Sequence, residues 1–147
     1  MINIYEKLFA KLSEVAELNW IDMDKGQLDY YETRPSVQFP CALISVQLPK
    51  CDDIGAKKQN CQALITVRLA FDFTGNTSAA TPAAERAKSL AYLNLCEAVY
   101  KKLQGWKDAG FNALSRQSYR EEKRTDHYKV GYMPFTTSFI DLAAAEP

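Results

Sequence analysis

CALISVQLPKCDDIGAKKQNCQALITVRLAFDF, residues 41–73, decides the fold. In its second half Ala63, Ile65, Val67, Leu69, Phe71 and Phe73 take every second position, so an extended backbone puts them all on one face. In its first half Ala42, Ile44, Val46 and Leu48 do the same over 41–48, with Leu43 facing the other way. Between the two runs lie residues 50–60, carrying Asp52, Asp53, Gly55, Lys57 and Lys58. Their polarity predicts a loop standing off the sheet.

The flanks add helices on either side of this pair. Ile4, Tyr5, Leu8, Phe9, Leu12, Val15 and Ala16 recur at helical spacing, predicting an amphipathic helix over 2–17. A turn at Gly26-Gln27 leads to a short strand over 27–31, and Arg34-Pro35 and Phe39-Pro40 bracket an extended loop. After the breaker cluster 74–78, Thr81 as N-cap and Pro82 as first helical residue open a second helix. Its apolar side runs from Ala84 to Leu103, and Gly105 ends it. Extended segments over 113–121 and 127–140, joined by the polar tip 122–126, predict an antiparallel hairpin. Pro134 demands an edge position or a bulge in the last strand, and residues 143–147 read as a frayed tail. The order gives an α+β fold: one domain over 1–147, a mainly antiparallel sheet, and two helices packed on one face.

Composition narrows the function classes. The chain has 147 residues, 47% hydrophobic and 24% charged, with 18 acidic against 18 basic side chains. A formal net charge of zero argues against a broad electrostatic grip on nucleic acid or membrane. The opening MINIYEKLFAKL lacks the charged and apolar blocks of a secretion signal, and no apolar run approaches a membrane span. The expectation is a cytosolic chain whose four cysteines are reduced. Cys41 and Cys96 read as small core residues; Cys51 and Cys61 flank the polar loop, where a disulfide would staple its base against the reducing compartment.

Chemical equipment is sparse. The single histidine, His127, lies beside Asp126 at a hairpin tip open to water, a poor setting for a base that must hold a nucleophile. There is no C-x-x-C, no nucleophile elbow and no glycine-rich phosphate loop. Asp22-Met23-Asp24-Lys25-Gly26 resembles a calcium loop only faintly: the glycine comes one place early and Thr33 stands where the bidentate glutamate belongs. A β-turn with solvated acids is the plainer reading. No catalytic residue, metal or cofactor is expected.

One basic cluster stands out: Arg116, Tyr119, Arg120, Lys123 and Arg124. At strand spacing Arg116, Ser118 and Arg120 share a face, so two guanidinium groups would meet phosphates or partner carboxylates together. Glu121 and Glu122 interrupt the cluster, and a solvated hairpin with internal ion pairs is the competing reading.

Taken together, the N-terminal amphipathic helix, WIDMDKGQLDYY, FPCALISVQL, the polar loop, CQALITVRLAFDF, the helix end LCEAVYKKLQGW and the hairpin LSRQSYREEKRTDHYKVGYMPFTTSFID resemble the small tail terminator, or tail completion, proteins of long-tailed phages and prophages. The likeness is one of element order over nearly the whole chain, with no chemically sharp motif. It implies a non-catalytic virion protein that forms a ring, typically a hexamer, on the end of the tail tube. There it would stop tube polymerisation and present a surface to the head-side connector, with DNA passing through the lumen. Such a protein assembles in the host cytoplasm and ends in the tail. On this resemblance Asp52, Asp53, Lys57 and Lys58 would contact a neighbouring subunit or the tube, and Arg116, Tyr119, Arg120, Lys123 and Arg124 would lie near the lumen or a ring face. A head–tail connector and a nucleic-acid-binding module using the 116–124 hairpin are the alternatives.

Overall fold

A computed structural model describes residues 1–30, 34–72 and 78–147. The tip of the strand at Phe73, most of the 74–78 cluster and residues 31–33, including Thr33 of the calcium-like stretch, lie outside the described residues. The chain runs α1 (Ile2–Leu12), β1 (Trp20–Met23), β2 (Cys41–Gly55), β3 (Lys58–Asp72), α2 (Ala83–Ser89), α3 (Ala91–Leu103), β4 (Ser115–Arg116), β5 (Arg120–Glu121) and β6 (Tyr128–Asp141), then a single 3-10 turn at Ala143–Ala145. The fold is α+β. The sheet order is β1-β2-β3-β6-β4, with β5 also on β6; every pairing is antiparallel except β1 with β2.

The alternation in 61–71 builds the main core. Ala63, Ile65, Val67 and Leu69 of β3 meet Ala42 and Ile44 of β2, Met133 and Phe135 of β6, and the buried stripes Ile4-Leu8-Leu12 of α1 and Leu95-Val99-Leu103 of α3. The opposite sheet face carries a second, smaller core: Leu28, Val37, Cys41, Leu43, Ala70, Tyr128 and Val130. Phe39 stacks on Tyr128 there at 4.7 Å between centroids. The segment before β2 therefore covers one end of the face that the helices leave open.

Several expectations are corrected. Residues 50–60 form no loop: β2 and β3 continue as a paired ribbon to Gly55↔Lys58, closed by a two-residue turn. The alternation fails as a guide there because one extra residue enters β2 between Gln47 and Lys50, around Pro49, and another between Asp53 and Gly55. Of the strand expected over 27–31, residues 27–30 form none and residue 31 lies outside the described residues; a strand runs earlier, at Trp20–Met23, and Gln27 uses its side chain to hydrogen-bond the turn at Met23, Lys25 and Asp22. The first helix stops at Leu12, because the Ser13 hydroxyl donates to the Phe9 carbonyl and 3-10 turns carry the chain to a buried Val15.

The second helix breaks in two at Leu90. AAERAKS offers no large apolar side chain to bury, whereas the thirteen residues after the break do. Pro82 is the N-cap and not the first helical residue, and no side chain caps that end. Gly105 does end α3, through a type II turn: Gln104 at φ −63, ψ 123 and Gly105 at φ 74 let the Trp106 N–H reach the Leu103 carbonyl at 3.1 Å.

The expectation for Pro134 is corrected: β6 is neither an edge nor bulged, since it lies between β3 and β4/β5 in unbroken register with β3, and the extra residue is in the neighbouring 117–119 stretch instead. Pro134 sits in β6, opposite the gap between β4 and β5, and its carbonyl accepts from Gln117 N–H at 2.8 Å. Its missing N–H thus points where the neighbouring strand is interrupted.

Candidate functional site

The predicted contact residues fall into two places. Asp52 and Asp53 lie on β2 and Lys57 and Lys58 at the turn of the ribbon, all exposed. Asp52 is 3.4 Å from Lys50, and the Asp53 carboxylate accepts from the Gln59 amide at 3.0 Å. Ile54, the extra residue near the tip, is 55% exposed, so the ribbon ends in an apolar side chain between two acids and two lysines. β1 pairs with β2 only over residues 41–44, which leaves the ribbon's β2 edge without a strand beside it among the described residues. Pro49 and the charges beside it blunt that edge against indiscriminate pairing.

The basic hairpin does not assemble into one patch. Arg116 is registered with Phe135 and faces the helices, its guanidinium 3.9 Å from the Tyr100 ring centroid. Arg120 is registered with Tyr132 on the opposite face, 4.3 Å over that ring. The expected shared face is lost because the irregular stretch 117–119 adds one residue between β4 and β5 and reverses the alternation. Tyr119 points to the helix side, its hydroxyl 3.5 Å from the Cys96 sulfur, and burial pushes its phenol pKa up. Gly131 makes room for it: a Cβ there would lie 2.9 Å from the Tyr119 ring. Lys123 is exposed.

Arg124 turns inward. Its side chain is 2% exposed and forks onto Asp126 at 2.8 and 2.9 Å, with further bonds to Glu122 at 2.8 Å and the Leu28 carbonyl at 2.7 Å. Burial would lower its pKa, but the hydrogen bonds to Asp126 and Glu122 outweigh that and raise it. Glu122 also accepts from Arg68, a side chain 4% exposed toward the hairpin-tip end of β3. Arg68 reaches Asp29 at 2.8 Å and lies 3.7 Å from Asp24 and 5.2 Å over the Tyr132 ring. Two guanidinium groups thus tie the hairpin tip, the 24–29 turn and the sheet into one network.

Sequence reasoning missed Arg68. The signal was there: a single cation between Leu64 and Ala70 on the far side of the apolar alternation, with Asp24, Asp29 and Glu122 as acids elsewhere in the chain. Asp24 accordingly faces Arg68 and holds the Gly26 N–H at 3.0 Å, rather than serving water alone. Asp126 titrates below the usual carboxylate range because Arg124 hydrogen-bonds it. A depressed folded pKa contributes stability above the unfolded value near 4 and loses it as pH falls through the folded value. Urea midpoints are therefore expected to hold from about pH 7 to 5 and fall below about pH 4. Asp126→Asn should flatten part of that fall; an unchanged acid profile in this variant would place the linkage elsewhere.

His127 sits at the hairpin tip, its Nε2 3.0 Å from Asp72. Cys61 pairs with Phe139 and Asp72 with Tyr128, so the thiols of the ribbon and the histidine are separated by roughly 35 Å of strand. They share no site. Among the described residues no three His, Cys, Asp or Glu side chains gather to hold a metal ion.

The fold has a solved counterpart. A chain in the structure described as "Virion of native gene transfer agent (GTA) particle" superposes with a TM-score of 0.50 over 91% of this chain and 92% of that one, at 12% sequence identity. At that identity the likeness is one of fold. No family model and no curated protein matches the chain.

Proposed function

We propose that this chain is a structural component of a phage-like particle, a tail terminator that closes the tail tube as a ring, ends its polymerisation and offers the surface for head joining. The observation that carries the reading is the end-to-end fold likeness to a chain of a virion, 91% against 92%. The exposed ribbon tip supplies a contact element of the kind a ring needs. A ring is a heterologous assembly, in which one surface meets a different surface of the next copy, and it closes when the rotation between copies does. Acidic Asp52 and Asp53 and basic Lys57 and Lys58 around Ile54 give the tip both signs of charge and an apolar centre. The partners are other copies of the chain, six in the proposed ring, the tail tube protein and the head-side connector. The role is non-catalytic.

A head–tail connector is the second reading, since a virion chain of this fold supports either side of the joint. The nucleic-acid-binding alternative loses ground. Arg124 is tied to carboxylates, and Arg116 and Arg120 face opposite ways, so the hairpin offers phosphates no concerted grip. The test is mass in solution over a concentration series by light scattering, then imaging with purified tail tube protein. Rings, alone or seated on tube ends, are expected. A strict monomer that ignores tubes at every concentration would move the chain to the connector side.

A further inference from the structure

Cys51 and Cys61 are directly opposed on β2 and β3 at the root of the ribbon. The β3–β6 register is unbroken from Gln59↔Asp141 to Asp72↔Tyr128, so the backbone of β3 alternates strictly between its two neighbours. Tyr5 accepts the Val46 N–H at 3.1 Å on the edge side of β2, which makes Val46↔Ile65 a pair that exchanges no backbone hydrogen bonds. Odd residues of β3 therefore direct their N–H and C=O toward β6, and Cys51↔Cys61 is likewise a non-hydrogen-bonded pair. Such pairs hold their Cα atoms about 4.5 Å apart with side chains close, inside the roughly 4.4–6.8 Å span that a disulfide bridges. The extra residue at Pro49 produces this match: without it Cys51 would face away from Cys61.

We infer that Cys51 and Cys61 are a reversible disulfide pair that staples the ribbon under oxidising conditions and stands open as two thiols in a reducing cytosol. Cys51 is exposed and meets the oxidant first; Cys61 is buried against the core beside it. With a small-molecule disulfide such as oxidised glutathione, the Cys51 thiolate attacks one sulfur and expels a glutathione thiolate, leaving a mixed disulfide. The Cys61 thiol gives up its proton and its sulfur attacks the Cys51 sulfur, expelling the second glutathione. Two protein thiols are oxidised and one disulfide is reduced to two thiols. Burial, with the Cys51 thiol alongside, pushes the Cys61 thiol up to about 11, so Cys51 is the thiol that engages the oxidant. The remaining cysteines are elsewhere: Cys41 in the core of the opposite face and Cys96 on α3 against Tyr119.

The inferred bond rests on the strand register that sets the two thiols, free in the structure, opposite each other; its timing, open during assembly and closed in a released particle, rests on the virion reading. The experiment takes the purified chain through glutathione buffers of rising potential, with intact mass and free-thiol counts. The expected result is a loss of about 2 Da with two thiols consumed, restored by reductant. Cys51→Ser should abolish the loss, and Cys61→Ala should trap the glutathione adduct on Cys51. Wild-type protein that stops at the adduct, or paired thiol loss persisting in Cys51→Ser, overturns the assignment. Because no assembly is involved, either outcome leaves the ring test untouched.

Discussion

Arg68→Ala is expected to lower stability by about 3–5 kcal/mol, a large shift of the urea midpoint at neutral pH. The side chain is 4% exposed and serves three carboxylates, of which Glu122 is 12% and Asp24 19% exposed. Truncation takes the near cation from Asp24 and one of two from Glu122, which keeps Arg124, while Asp29, 57% exposed, falls back on water; the cost therefore sits with the two less exposed carboxylates. Loss of aliphatic packing would also destabilise, so a second variant separates the causes. Arg68→Met with Glu122→Gln keeps the volume and removes a charge from each side, and should recover much of the loss. A single-variant cost below about 1 kcal/mol would mean that water reaches the network freely.

The second large effect is on assembly. Reversing Lys57 and Lys58 together to glutamate should leave the fold intact, because both are exposed at a turn and surface changes of this kind stay within about 0.5 kcal/mol. The same change places four acids around Ile54 and replaces any attraction to an acidic neighbour by repulsion, worth several kcal/mol at a contact. Ring mass in solution and tube-end occupancy should fall about tenfold or more. Rings that form normally from this variant would remove the ribbon tip from the interface. Deleting 56–59 is a blunter probe, because it takes the turn together with the strand partners of Asp53 and Gly55.

Much of the framework was legible in the residues, and for a physical reason. Where one face of a strand is buried, alternation is enforced, so Ala42-Ile44 and Ala63–Phe71 announced both their strands and their facing. The hairpin 113–140 and the end of α3 at Gly105 were legible through turn chemistry. What escaped were parity changes. Single extra residues at Pro49, Ile54 and within 117–119 leave no hydrophobic signature, yet each reverses which side chains share a face. The basic cluster was therefore visible as a composition but not as a geometry. Arg124 looked like a surface cation because its carboxylates are two residues away on either side, while Leu28, whose carbonyl it also binds, is distant in sequence.

β3 and β6 run side by side from the ribbon root to the hairpin tip, registered without a break. Mechanically this is a strut. A pull along the strands at the ribbon would load every rung of that ladder at once, in shear, and deliver the force to the Arg68 and Arg124 clamp at the far end. A pull across the strands would open the rungs one at a time. On this geometry a load along the ribbon is expected to meet more resistance than one that peels the β2 edge of the chain sideways from β3.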